Sequence, residues 1–297
     1  MSSTPTEATS ASTPLVANRG RVGVRIPILG ILAWAVTTFG AILFLLPFGW
    51  MLSTSLKSEQ ELFAFPIHWI PYSWQFSNFP VSWTTAPFTL YLINTMIITF
   101  SSLVGQTGSS AVSAYAFARL RFHGRNLLFY SVLAVMMLPT QVTMIPVFIL
   151  FRNLHWINTF YPLIIPGFFG DAFYIFLLRQ FFLTIPPELE DAARIDGASS
   201  WQILTRIIVP LARPALATVA IFSFMYNWND FFAPLIYLNS DSKKTLALGL
   251  AAFRGEYTTE WELMMAASIT ILMPCLIIFF SAQKYFIEGI VTGGLKE

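Results

Sequence analysis

Long apolar stretches separated by short polar ones dominate the chain. Six segments are nearly continuous in hydrophobic residues, at about Pro27–Leu52, Phe88–Ala114, Asn126–Leu150, Tyr161–Phe182, Ala215–Leu238 and Met264–Phe286. A helix needs roughly 20 apolar residues to cross a hydrocarbon layer of about 30 Å, and each segment is long enough. Membrane barrel strands are about half that length and alternate polar with apolar. Runs without alternation predict helices, which satisfy their own backbone groups inside lipid. The pattern therefore predicts an all-α integral membrane protein, with six transmembrane helices in residues 26–288 between tails at 1–25 and 289–297. Residues 1–18, rich in Ser, Thr and Pro, read as a disordered tail. A signal peptide is the rival reading, since Arg19, Arg21 and Arg25 precede an apolar stretch. That stretch is too long for a signal core and no small-residue cleavage site interrupts it, so it reads as an uncleaved first span.

Composition supports the membrane reading. Hydrophobic residues make up 56% of the chain and charged residues 11%, with a mean hydropathy of +0.65. A soluble domain carries about 25% charged residues, so this chain could not cover its surface in water. A net charge of +2 gives no reason to expect a nucleic-acid partner. The placement of the charges is more informative. With the N-terminus inside, the inner segments hold Arg19, Arg21, Arg25, Arg119, Arg121, Arg125, Arg179, Arg194, Arg206, Arg213, Lys284 and Lys296. The outer segments hold only Lys57, Arg152, Lys243, Lys244 and Arg254. Basic residues accumulate on the cytoplasmic side, which predicts a multi-pass chain with both termini in the cytoplasm. In the second span Ser101, Gly105, Ser109 and Ser113 recur every four residues, a small-residue face that lets another helix approach closely.

Several chemistries are missing. There is no G-x-x-x-x-G-K-[ST] phosphate loop, no G-x-S-x-G elbow and no H-E-x-x-H. The single cysteine, Cys275, allows no disulfide, and His68, His123 and His155 are too scattered to share a metal. No metal and no cofactor is expected. Inside the spans the clear carboxylates are Asp171 and Asp230. Two such groups and no visible repeat make a weak case for an ion-coupled carrier, so energy for any transport would arrive from elsewhere.

The segment Ile185–Pro214 reads IPPELEDAARIDGASSWQILTRIIVPLARP. It predicts two short helices joined at a glycine. Pro187 suits the first helical position, and Glu188, Glu190 and Asp191 suit the positive end of the helix dipole. Gly197 fits a left-handed closing residue. Ser199 and Gln202 form a capping box that opens the second helix, which should end before Pro210. Such a loop is either an amphipathic connector on the membrane or a docking peg for a cytoplasmic partner.

Here the sequence resembles a known family. Asp191-Ala192-Ala193-x-x-x-Gly197, nine residues, then Ile207-x-Val209-Pro210 is similar to the EAA loop of binding-protein-dependent ABC importer permeases, which reads E-A-A-x-x-x-G, nine residues, then I-x-L-P. Asp191 stands for the glutamate and Val209 for the leucine. The runs ELEDAARIDGAS, WNDFFAPLIYL and LGLAAFRGEYTTEWELMMAAS resemble the carbohydrate branch, in particular the smaller, MalG-like subunit of maltose-type importers. The resemblance implies a permease subunit of an ATP-driven sugar importer in the bacterial or archaeal cytoplasmic (inner) membrane, itself no enzyme. It implies a pair of ABC ATPase subunits, a second, MalF-like permease and an extracytoplasmic sugar-binding protein as partners, with lipid around the spans. Glu188, Glu190, Asp191, Ala192, Ala193, Asp196 and Gly197 would then couple to the ATPase. The outer loop Leu248–Glu262, whose Gly249 and Gly255 suit a mobile reaching segment, would touch the binding protein through Phe253, Arg254, Gly255 and Glu256. The tail Gly289–Lys296 resembles the family segment that enters the ATPase interface.

Asp171 belongs to no motif of the family. A carboxylate at mid-span costs about 2.5–3.5 kcal/mol on insertion scales, so it should face the bundle or a watery cavity. It is either satisfied by a neighbouring helix or lines a sugar pathway, with Phe168, Phe169 and Phe173 nearby. Asp230, Asn227 and Asn229 are further pathway candidates. A stand-alone channel or secondary carrier, or a membrane scaffold, are the alternatives in other classes.

Overall fold

The apolar runs form helices. In the computed structural model the backbone is described for residues 28–255 and 259–294, and side chains for 30–255 and 259–283. The expected tail 1–25, Glu256, Lys296 and Glu297 lie outside the described residues. Helix α1 spans Ile28–Ser55. After the short α2 (Glu59–Leu62) and α3 (Asn78–Thr85) comes the long α4, Phe88–Arg119. Then follow α5 (Arg125–Val135), α6 (Thr140–Asn153), α7 (Tyr161–Ile164), α8 (Ala172–Thr184) and α9 (Glu188–Ile195). The remainder comprises α10 (Ser200–Ile203), α11 (Val209–Leu211), α12 (Arg213–Asn229), α13 (Phe232–Tyr237), α14 (Leu246–Gly249) and α15 (Trp261–Gly294). Among the described residues there is no strand, only an isolated bridge between Arg254 and Thr259. The chain divides into two compact units, Met1–Phe48 and Gly49–Glu297.

Four helical stretches are long and apolar enough to cross a membrane: Gly30–Ser55, Phe88–Arg119, Tyr161–Thr184 and Trp261–Gln283. The count rises to six if two bent pairs each make one crossing. The third and fifth runs are therefore not the straight spans that hydrophobicity predicts. In the third, α5 and α6 meet at 100°. Pro139 caps α6 in an extended conformation; its ring disfavours helix at the residue before it and it has no N–H to donate. In the fifth, α12 stops at Asn229, where Asp230 turns extended; the 83° bend between the Ser200–Leu211 helix and α12 lies just before that run begins. The fourth run is broken too. A 3₁₀ stretch, Ile165–Phe169, follows α7, and Gly170 takes φ +90° before α8 begins.

The second helix of the 185–214 loop also departs from expectation, because it passes Pro210. Residues Leu204–Ile208 widen into a π-turn and the Val209 N–H reaches back to the Leu204 carbonyl. The wider turn accommodates the proline, which offers no N–H of its own.

Helix α4 is the hub. On one side Ala111, Ala114, Tyr115 and Ala118 pack against Leu178 and Phe182 of α8 and against Ile203, Ile208 and Val219. Towards its start Phe88 and Tyr91 join Phe224, Trp228, Phe253, Ala267 and Cys275. The small-residue face admits the 3₁₀ stretch. A Cβ on Gly105 would lie 2.6 Å from the Phe168 ring, and Ser109 donates to the Gly167 carbonyl at 3.1 Å.

Candidate functional site

Two broken places in the helices, the stretch before α8 that ends at Gly170 and the end of α12 at Asp230, converge on one cavity of about 460 Å³. Gln106 of α4, Asp171 and Tyr174 at the start of α8, Tyr226 and Asn227 of α12, and Asp230 after it line its walls. Neither carboxylate is a mid-helix group. Asp171 is the N-cap of α8, and its Oδ1 accepts from the N–H groups of Phe173 at 2.9 Å and Tyr174 at 3.1 Å. The N–H of Asp171 in turn donates to Ser110 Oγ at 3.1 Å. Asp230 repeats the device, accepting from Phe232 at 3.0 Å and Ala233 at 3.2 Å. Backbone N–H groups at a helix start favour negative charge, which explains how each carboxylate is tolerated within an apolar run. Asn227 donates to Gln106 Oε1 at 3.2 Å and Ser223 donates to the same oxygen at 2.6 Å. Among the described residues no Lys, Arg or His lines the cavity. Asn229 is not part of it: its amide donates to the Met225 carbonyl at 2.8 Å and faces Cys275 Sγ at 3.7 Å. Phe173 lines it, whereas Phe168 is seated on Gly105.

The second polar centre is the 185–214 loop. Helix α9 closes as expected: Gly197 has φ +82°, Ala198 N–H reaches the Ala193 carbonyl at 2.9 Å and Gly197 N–H the Arg194 carbonyl at 3.0 Å. These two bonds make a Schellman motif. The capping box is present in both directions, Ser199 N–H to Gln202 Oε1 at 2.8 Å and Gln202 N–H to Ser199 Oγ at 3.3 Å. Pro187 is the N-cap, one place before its expected position. The candidates on α9 part company. Glu188, Asp191, Ala192, Asp196 and Gly197 are exposed, and so is Ile195, at 87%. Glu190 is 3% exposed. Its Oε1 pairs with Arg119 Nε at 3.0 Å and its Oε2 with Arg194 at 3.6 Å. The Arg119 contact is ionic rather than a well-directed hydrogen bond. Ala193 packs against the core. A cleft of about 300 Å³ opens between the two short helices, lined by Ala193, Gly197, Gln202 and Arg206 among others.

Residues 248–255 of the expected reaching loop are more tightly packed than their composition implies. Phe253 is 1% exposed and stacks on Phe88 with centroids 5.5 Å apart, so it is a core residue and cannot meet a partner. A Cβ on Gly249 would lie 2.5 Å from Tyr91; that glycine serves close packing rather than reach. Arg254 and Gly255 are exposed, and Glu256 lies outside the described residues.

Residues 109–291 match the family of binding-protein-dependent transport system inner membrane components. The chain belongs to that family. It is thus a permease subunit, and the matched region takes in the helices of the 185–214 loop and Asp171, Asn227 and Asp230 of the cavity. The sn-glycerol-3-phosphate transport system permease protein UgpE of Salmonella typhi is 34% identical over 241 residues, 78% of this chain and 85% of its own length. The diacetylchitobiose uptake system permease protein NgcG of Streptomyces coelicolor is 33% identical over 264 residues, 88% of this chain and 86% of its own. A chain of the solved bacterial ABC transporter that imports the acidic polysaccharide alginate is 26% identical, with a TM-score of 0.77 over 89% of this permease and 98% of that chain.

Sequence reasoning missed Gln106, Tyr226 and Arg119 of this permease. Gln106 carried a usable signal, a lone amide in the middle of an apolar run, since polar side chains inside a membrane face the bundle or a cavity. Arg119 is counted there only as one more basic residue.

Proposed function

We propose that this permease forms half of the translocation pathway of an ATP-driven importer for an uncharged sugar or similar polyhydroxyl compound, and couples to separate ATPase subunits through α9. The carrying observation is the α9–Gly197–α10 hairpin, which is fixed by the Schellman motif and the capping box yet leaves Asp191, Ala192 and Ile195 exposed. That is the form of a rigid peg, and it coincides with the EAA-like spacing. Asp191 and Ala192 would meet the ATPase groove, while Glu188, Asp196 and Gly197 set the ends of the peg.

The cavity is the proposed route for cargo. Asp171, Asp230, Asn227 and Gln106 offer acceptors and amides suited to sugar hydroxyls, and Phe173, Tyr174 and Tyr226 offer ring surface. A carboxylate facing an anionic cargo at about 4 Å would cost about 4 kcal/mol at an effective dielectric of about 20. That repulsion favours neutral sugars, as for the diacetylchitobiose relative, over phosphorylated or acidic ones.

The whole proposed assembly has six crossings, both termini in the cytoplasm, a second permease, two ATPase subunits and an extracytoplasmic binding protein reached by Arg254 and Gly255. The exposed apolar side chains Trp34, Phe39 and Phe44 of α1 would meet lipid or the second permease. Purification from the membrane tests the reading: an ATPase pair and a second permease should accompany the chain. Arrival of the chain alone, with uptake independent of ATP, would favour a stand-alone carrier. Impermeant thiol reagents should label a cysteine at Lys243 from outside and one at Arg121 from inside, on a Cys275→Ala background; the reverse labelling would overturn the orientation.

A further inference from the structure

We propose that Arg119 is a positioning residue that locks the coupling helix to the two helices bearing the cavity, so that displacement of α9 is delivered to the cargo site. This rests on the reading of α9 as the ATPase-coupled element. Arg119 is the last residue of α4, and its guanidinium joins three helix ends. Nη2 donates to the carbonyls of Phe182 and Ile185 at the end of α8, and Nε faces Glu190 in the first turn of α9 at 3.0 Å. Charge suits each end. A cation favours the carbonyls that close α8, and a carboxylate favours the open N–H groups that start α9.

The geometry separates transmission from docking. Glu190 is 3% exposed and cannot touch a partner, while its neighbours Asp191 and Ala192 are exposed. One face of α9 is therefore available to the ATPase and the other is held by α4 and α8. Both of those helices reach the cavity. Gln106 lies 13 residues before Arg119 on α4, and Asp171 lies 13 residues before Thr184 on α8. At about 1.5 Å per residue each is a rod of roughly 20 Å between clamp and cavity. A buried ion pair is seldom the most stabilising choice, since apolar replacements of similar volume often do as well. A planar fork that reaches three elements at once has a use that packing alone does not supply: it fixes their relative positions.

The test needs no knowledge of the cargo. The complete importer is reconstituted in proteoliposomes with Cys275→Ala and a reporter, Ala233→Cys, in the cavity wall. The labelling rate of the reporter by an impermeant maleimide is compared without nucleotide and with ATP plus vanadate, alongside ATP hydrolysis. With Arg119 present, nucleotide should change labelling by roughly tenfold, as expected for a two-state shift. Arg119→Lys keeps the charge but loses the fork. It should hydrolyse ATP within about twofold of the parent while the nucleotide-driven change in labelling shrinks below about twofold; Glu190→Gln should fall between. An undiminished change in Arg119→Lys would overturn the proposal. So would a parallel loss of hydrolysis and labelling change, because a merely structural role lowers both together. Failure of the underlying reading shows differently, as no hydrolysing partner in the parent complex.

Discussion

The two ends of α8 handle charge in opposite ways. At its far end, Glu190 is met by the guanidinium groups of Arg119 and Arg194, and Arg119 also serves the carbonyls of Phe182 and Ile185. At its start, Asp171 receives only backbone N–H groups of its own helix, and Asp230 across the cavity does the same. The first centre pairs its one buried carboxylate with two guanidinium groups and leaves no negative charge without a cation; it suits a joint. The second keeps net negative charge beside open space, and it suits a ligand that supplies hydroxyl donors. One helix thus connects a mechanical contact to a chemical one.

Substitutions at the two centres should separate accordingly. Glu190→Ala leaves a buried guanidinium without its partner and should destabilise by about 3–5 kcal/mol, seen as loss of monodisperse protein and a large fall in Tm. Asp171→Ala should cost about 1 kcal/mol, as for other N-caps; equal losses at both sites would break the contrast. Gly105→Leu drives a side chain into Phe168 and should cost about 1–3 kcal/mol of overpacking, read as a lowered Tm with the joint intact. Gly197→Val has open space around it but a φ of +82°. Its strain is about 1–2 kcal/mol, so the chain should stay in the membrane while ATPase docking and uptake are lost; normal uptake at normal expression would refute the rigid peg. Asp171→Asn should change stability least, since both residues cap well. It should relax discrimination against anionic sugars in uptake competition, and unchanged selectivity would leave Asp171 as a cap alone.

What the sequence disclosed follows from range. Gly197, Ser199 and Gln202 act on backbone within a few residues, and the two-helix loop they define is found where their types and spacing put it. The helical class and the membrane-length runs follow in the same way from local hydrophobicity. Continuity of the spans does not. Asp171 and Asp230 read as isolated charges inside helices because capping needs knowledge that the helix stops there, and Pro139 lies in a run that stays apolar on both sides of it. The joint is further from reach, since Arg119 and Glu190 are far apart in the chain and meet only when α4 and α8 pack. Likeness to the family places Phe253 at a surface, whereas its burial and its stack on Phe88 place it in the core.

The central claim is that α9 is the element a separate ATPase moves. Site-directed cross-linking tests it most directly: Ala192→Cys on a Cys275→Ala background, in membranes containing the whole importer, against cysteines placed on the ATPase surface. The account predicts a cross-link from Ala192 to the ATPase whose yield changes with ATP, and none from Ala233→Cys in the cavity. Co-purifying ATPase subunits that never cross-link to Ala192 would contradict it.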